Sequence, residues 1–164
     1  MQKSEKNNSQ IDIAIIGGGA AGLSAGIAAA KLSKIKNNTK QIEIFEAQNK
    51  IGKSILKTGN GRCNFSNYFI DETKGNLYNN PNFCNKIMES SLKIANCYKL
   101  FGENKEISAA MQMFDNLGLS CYYDEDGKLF PYTNKASSVV DVLRFELEDL
   151  KVKISCNKKL KDVV

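Results

Sequence analysis

The sequence contains no histidine. That absence removes His-based catalytic triads and His-based metal sites from the functions open to it. It also lacks an apolar run of the ~20 residues a membrane helix needs. The longest candidate, residues 14–30, is punctuated by glycine and cut by Ser24. No apolar stretch precedes Ile11, so residues 1–10 read as a flexible polar tail, not as a secretory leader. The five cysteines are odd in number and include no C-x-x-C pair. They read as reduced thiols of a cytoplasmic protein. Internal repeats and low-complexity tracts are missing as well. The charge, 23 basic against 18 acidic residues, is scattered along the chain instead of clustered or interleaved with aromatics. This pattern describes a solvated lysine-rich surface, with neither a nucleic-acid nor a membrane partner.

What the chain does have is the balance of a soluble globular protein: 164 residues, 42% hydrophobic and 25% charged. Residues 11–16 (IDIAII) form a short apolar run of the kind found in buried parallel strands. Residues 20–35 are alanine-rich, with Leu23, Ile27 and Ala30 at helical spacing. Residues 41–46 (QIEIFE) alternate as a second strand, completing a β-α-β unit of about 36 residues. Residues 47–67 carry no period and read as an irregular, functional loop. Helices are expected over 82–101, over 105–117 with Gly118 as the stop, and over 137–150. Asp126-Gly127 marks a hairpin between 119–123 and 128–130, and 152–156 alternates as a third parallel strand.

The first glycine segment, Gly17-Gly18-Gly19-Ala20-Ala21-Gly22, fits G-x-G-x-x-G between a strand and a helix, the context the motif requires. Gly17 makes the tight turn, Gly19 lets backbone approach a pyrophosphate, and Gly22 lets the helix close on the strand. Gly26 extends that smooth face by one turn. The helix N-terminus then supplies free N–H groups and a dipole for the phosphates. Glu46 ends the second strand, where the motif calls for an acid on the ribose hydroxyls. An acid there disfavours a 2′-phosphate, so NADP is not expected on this site. Together these elements predict a dinucleotide-binding Rossmann-like domain with sheet order 3-2-1 and a helical and hairpin excursion, residues 70–135, between strands two and three.

A second pattern competes. The segment from Ala47 through Gly52-Lys53-Ser54 fits a relaxed Walker A loop after a strand. A P-loop, however, needs a helix directly after it, and Gly59, Asn60 and Gly61 would end one within two turns. Lys53 remains able to reach a phosphate of the dinucleotide.

The most unusual stretch is Thr58-Gly59-Asn60-Gly61-Arg62-Cys63-Asn64, which combines flexible glycines, a fixed cation and several hydrogen-bonding groups. Arg62 beside Cys63 would favour a thiolate, which raises a redox role beside a flavin. The bland reading of Cys63, a packing thiol, is the stronger one. The other four cysteines are read as small apolar core residues.

With IIGGGAAGLSA (residues 15–25), IFE (44–46), GKSILKTGNGRCNFSN (52–67) and DGKLFPYTNKASSVVDVL (126–143), the chain resembles the bacterial YhiN/BaiN-type flavoproteins. The resemblance covers nearly everything after residue 10. It implies an FAD enzyme with an incomplete Rossmann-like FAD-binding domain in residues 11–164. Residues 17–22 and Glu46 would take the ADP half of FAD. Ala47, Gly52, Lys53, Thr58, Gly61, Arg62, Cys63 and Asn64 would lie along the cofactor, with the GRCN loop near the pyrophosphate and flavin end. Ser54 stands where the family usually has Lys or Arg, and Lys128 where it usually has Arg. Family members run to more than twice this length, with an inserted domain and a C-terminal stretch that closes the FAD site. The expectation is therefore an N-terminal fragment, with the remainder as a candidate separate chain.

No acid–base pair stands out, so the flavin itself would carry hydride or electron transfer. The substrate is an unknown small molecule and NAD(P)H a candidate donor. The rivals are a non-catalytic nucleotide-binding module that holds the ADP half of FAD, and a P-loop NTPase.

Overall fold

The computed structural model describes residues 10–69, 78–100 and 109–162. Its framework is a parallel three-stranded sheet. Strand β1 (Ile13–Ile16) leads into helix α1 (Ala20–Ile35), which returns to strand β2 (Ile42–Phe45). Strand β6 (Lys153–Ser155) pairs on the far side of β2, giving the order β1-β2-β6. The registers are Ile13 to Ile42 and Ile44 to Ile154, all parallel. This is the 3-2-1 order the sequence predicts, with β2 in the centre.

Between β2 and β6 the chain makes its excursion. A 3-10 stretch (Ile55–Gly61) is followed by strand β3 (Ser66–Asn67), helices α2 (Pro81–Cys97) and α3 (Ala109–Asn116), strands β4 (Cys121–Tyr123) and β5 (Lys128–Pro131), and helix α4 (Ala136–Asp149). Strands β3, β5 and β4 form a small antiparallel sheet in that order.

Local chemistry accounts for the element ends. Asn80 caps α2 by accepting from the Phe83 N–H at 3.2 Å, and Pro81 occupies the first turn, where its missing N–H costs nothing. Gly118, at φ +74°, stops α3, and the Leu119 N–H bonds back to the Phe114 carbonyl at 3.0 Å. Residues 105–108 of the helix expected there lie outside the described residues, as does Phe101 at the end of the helix expected over 82–101. The flexible tail expected at 1–10 also lies outside them, except for Gln10.

The core sits between the sheet and the helix pair α1 and α4. Leu23, Ile27, Ile44, Val139, Leu143 and Leu147 are all at most 1% exposed. At Gly26 a Cβ would lie 2.8 Å from Ile44 Cδ1 and 3.0 Å from Leu147 Cδ2, so α1, β2 and α4 meet there at closest approach. Lys31 of α1 ties across to Glu146 of α4 at 3.0 Å.

The opposite sheet face is more polar. Glu43, in the centre of β2 and 6% exposed, accepts from the Ser155 hydroxyl at 2.6 Å and pairs with Lys153 at 3.1 Å. Burial pushes its carboxyl up, but the Ser155 hydroxyl and the charges of Lys153 and Lys158 outweigh that and hold it below the ordinary value.

Two details differ from the sequence reading. Residues 47–67 are not wholly irregular: they contain the 3-10 stretch and β3. The signal was missed because a two-residue strand has no period, and its partners, Leu129 and Lys128, are remote in sequence. Three of the four cysteines outside the glycine-rich loop are not core residues: Cys97 is exposed, and Cys84 and Cys121 are partly exposed, whereas the partly exposed Cys156 packs against the core. Cys97 falls on the solvent side of α2, a helix that buries only Ala95.

Candidate dinucleotide site

The site is built at the carboxyl ends of β1 and β2. Gly17 takes φ +102°, open to glycine at little cost, and its N–H bonds the Phe45 carbonyl at 2.8 Å. The chain then enters α1 through Gly19, an N-cap with no side chain to satisfy the first turn, and no acid occupies that turn. The first N–H groups and the positive end of the helix dipole are thus left for an external anion. Gly22 is required sterically: a Cβ there would lie 1.8 Å from the Gly17 carbonyl oxygen.

Glu46 reaches back over this turn. Its Oε2 accepts from the Gly18 N–H at 2.7 Å and its Oε1 from the Gln48 N–H at 2.8 Å. The Gln48 and then the Gly18 N–H, with help from the Ala47 N–H and the charge of Lys53, hold the Glu46 carboxyl below its ordinary value. The following loop is clipped to the same turn. The Gly52 N–H donates to the Gly18 carbonyl at 2.7 Å, and Ile51 packs against Gly18. Gly52 therefore acts as a brace, pressed against Val140 of α4.

No α-helix follows Gly52-Lys53-Ser54. The 3-10 stretch breaks at Thr58 (ψ 151°), Gly59 (φ 54°) and Asn60 (φ 53°). The helix N-terminus that a P-loop needs is therefore not formed, for the reason the glycines suggested.

Beyond the turn lies a cavity of about 420 Å³, within the roughly 300–1,000 Å³ range of small-molecule sites. Ala20, Ala21 and Ser24 of α1 form one wall, and Ser54, Ile55, Thr58, Cys63, Asn64 and Phe65 another. Ala110 and Phe114 of α3, with Val139 and Leu143 of α4, complete its lining. Phe65 and Phe114 pack with ring centroids 4.7 Å apart.

Of the residues singled out from sequence, Ala20, Ala21, Thr58, Cys63 and Asn64 meet in this cavity. Gly17, Gly18, Gly19, Gly22, Glu46 and Gly52 form the adjoining turn, with Lys53 beside Glu46. Ala47 and Gly61 are exposed and are not among the cavity-lining residues. Arg62 points elsewhere, its guanidinium 4.3 Å from the Phe130 ring centre. The apolar walls from α3 and α4 were missed, because their helical spacing signals a core and carries no separate mark of a pocket.

Cys63 also differs from the electrostatic reading. Its backbone sits at φ +62° and turns the thiol inward, to 5% exposure, while Arg62 lies outward over Phe130. Burial pushes the thiol pKa up, against a smaller lowering by the Thr58 hydroxyl. This supports the packing or cavity-lining role.

A glycine turn at an uncapped helix N-terminus, an acid clipped onto it and a parallel 3-2-1 sheet define a Rossmann-type dinucleotide-binding domain. The comparisons with known proteins agree. The chain belongs to the family described as "HI0933-like protein Rossmann domain", whose sequence profile matches residues 11–164.

Among its relatives is the 3-dehydro-bile acid delta(4,6)-reductase of Clostridium scindens, 35% identical over 87% of this chain and 30% of that protein. The ribosomal RNA dihydrouridine synthases of Escherichia coli and Haemophilus influenzae are 35% and 42% identical, over 46% and 42% of this chain and 17% and 16% of theirs. The chain thus spans less than a third of the length of these relatives. The fold is shared with Thermovibrio ammonificans THI4, at TM-score 0.51 and 18% identity, over 94% of this chain and 41% of that one. No described helix is long and apolar enough to cross a membrane.

Proposed function

We propose that this chain is the FAD-holding part of a flavin-dependent reductase that saturates a carbon–carbon double bond. The observation that carries the cofactor assignment is the uncapped N-terminus of α1, with the Glu46 carboxylate 2.7 Å from the Gly18 N–H. The first-turn N–H groups hold the pyrophosphate. Glu46, fixed by two backbone donors, keeps lone-pair capacity for ribose hydroxyls. Lys53 adds positive charge beside it. The residues fit the group in one further respect: the cavity next to the helix N-terminus is walled by Ile55, Phe65, Phe114, Val139 and Leu143. Those walls suit an uncharged ring.

When bound, the flavin supplies reversible hydride chemistry, and the protein supplies placement and electrostatics. The reaction class comes from the relatives. A delta(4,6)-reductase of a 3-dehydro steroid and a dihydrouridine synthase both name hydrogen addition across a ring double bond conjugated with a carbonyl. NAD(P)H is the proposed source of the electrons, and the cytoplasm the proposed location. The rest of the relatives' length, on this chain or another, is the proposed supplier of the substrate contacts.

The test is anaerobic. The chain is loaded with FAD, photoreduced, and mixed with a 3-oxo-4,6-diene steroid or with its saturated analogue. Reoxidation of the flavin by the unsaturated compound alone supports the reductase reading. Reoxidation by neither, with FAD still bound and with the segment proposed to supply the substrate contacts also present, favours the non-catalytic nucleotide-binding module.

A further inference from the structure

Helix α2 has two faces of different character. One rests on α3 and carries the buried Ala95 with the partly buried Cys84, Met88 and Leu92. The other carries Phe83, Ile87 and Ile94, which are 61%, 51% and 53% exposed. Ser90 and Ser91 lie exposed in the middle of this row, and Tyr98 stands at its end. The six positions recur at the spacing of one helix face. Exposed apolar residues scattered singly need no explanation, but a row of them along one helix is a contact surface without its partner.

The order of residues along the row names that partner. Phe83 stands as far before the midpoint between Ser90 and Ser91 as Tyr98 stands after it, and Ile87 as far before it as Ile94 after. The row therefore runs from large to small to large and is the same from either end. A second copy of α2 laid antiparallel on it sets Phe83 against Tyr98, Ile87 against Ile94 and Ser90 against Ser91, and each of these contacts occurs twice. This is the self-complementarity that an isologous two-fold interface requires. The serines at the crossing let the two helix axes approach closely. Lys36 of α1, 5.3 Å from the Tyr98 ring centre, steadies the large residue at the end of the row. An unrelated partner would impose no such symmetry.

We propose that α2 is a homodimer interface, along which two copies of this chain pair antiparallel. None of the residues that line the dinucleotide cavity belongs to α2. The interface thus goes beyond the flavin site and does not depend on it.

The test is sedimentation velocity of the full 164-residue chain, without flavin, over a range of protein concentrations and at two salt concentrations. The expected result is a monomer–dimer equilibrium. It tightens with salt, because the contact is apolar while each copy carries a net charge of +5. Ile87→Glu and Ile94→Lys each weaken the dimer by at least about tenfold, since each removes a buried apolar side chain and leaves a charge unpaired in its place. Both positions are more than half exposed in the free chain, so both variants fold, which circular dichroism checks. Mixing the two variants restores a dimer. The antiparallel order sets the new acid of one copy against the new base of the other and leaves an Ile–Ile pair on the far side of the axis. The proposal is overturned by a monomer at every concentration, which would leave the row to a different polypeptide, or by a dimer indifferent to both substitutions. It is also overturned by a mixture that associates no more tightly than either variant alone, which would exclude the antiparallel register.

Discussion

Glu46 and Gly18, 28 residues apart, are joined by a hydrogen bond of 2.7 Å from the Gly18 N–H to the Glu46 carboxylate. The bond couples the end of β2 to the turn after β1. The acid is thereby oriented for a ligand, and the turn is stiffened. A carboxylate stabilised by backbone N–H groups binds its proton less readily folded than unfolded. Its contribution is fully present above the ordinary value of 4.5 and is lost as pH falls from there through the depressed folded-state pKa. Wild type is therefore expected to be more stable than Glu46→Gln at pH 7, with the gap closing in acid. Urea melts of both proteins from pH 7 to pH 3 check this.

Gly22→Ala and Gly61→Ala separate two reasons for glycine. At Gly22 the new Cβ meets the Gly17 carbonyl oxygen at 1.8 Å, whereas at Gly61 (φ +81°) nothing lies within 4 Å. The first substitution is expected to cost about 3 kcal/mol or more through overpacking. The second should cost only about 1–2 kcal/mol, from backbone strain. Denaturant midpoints of the two variants provide the comparison.

Leu147→Ala removes a side chain that is fully buried against Gly26 of α1. A loss of about 2–5 kcal/mol is expected, together with weaker FAD binding, because α4 also lines the cavity through Val139 and Leu143. Thermal unfolding and an FAD titration of the variant report the two effects.

The thiols should react in order of exposure. Cys97 is exposed, while Cys63 is buried with its pKa raised. At pH 7 iodoacetamide is expected to label Cys97 at least about tenfold faster than Cys63. Peptide mass spectrometry after timed quenching measures it. Fast labelling of Cys63 would restore the thiolate reading.

The parts legible in the sequence share one property: their signal is local. Gly17 to Gly22, the span of α1 and Glu46 at the strand end follow from spacing alone, and the structure reproduces the helix residue for residue. The Asp126-Gly127 hairpin and the Gly118 stop are equally local. The illegible parts depend on contacts remote in sequence. Strand β3 exists because Ser66 pairs with Leu129. Arg62 leaves Cys63 because Phe130, 68 residues on, offers it a ring. Gly52 is a brace because Gly18 and Val140 converge on it. None of these leaves a period or a motif to read.

The central claim, an FAD site on the glycine turn, is tested most directly by the visible spectrum of the purified 164-residue chain during an FAD titration, with FMN and Mg-ATP as controls. The account predicts a saturable shift in flavin absorbance, weakened by Gly19→Val, whose side chain would crowd Ser54, and by Glu46→Ala, and not reproduced by FMN. No shift with a folded chain, a shift indifferent to both substitutions, or binding of Mg-ATP in place of FAD would contradict it.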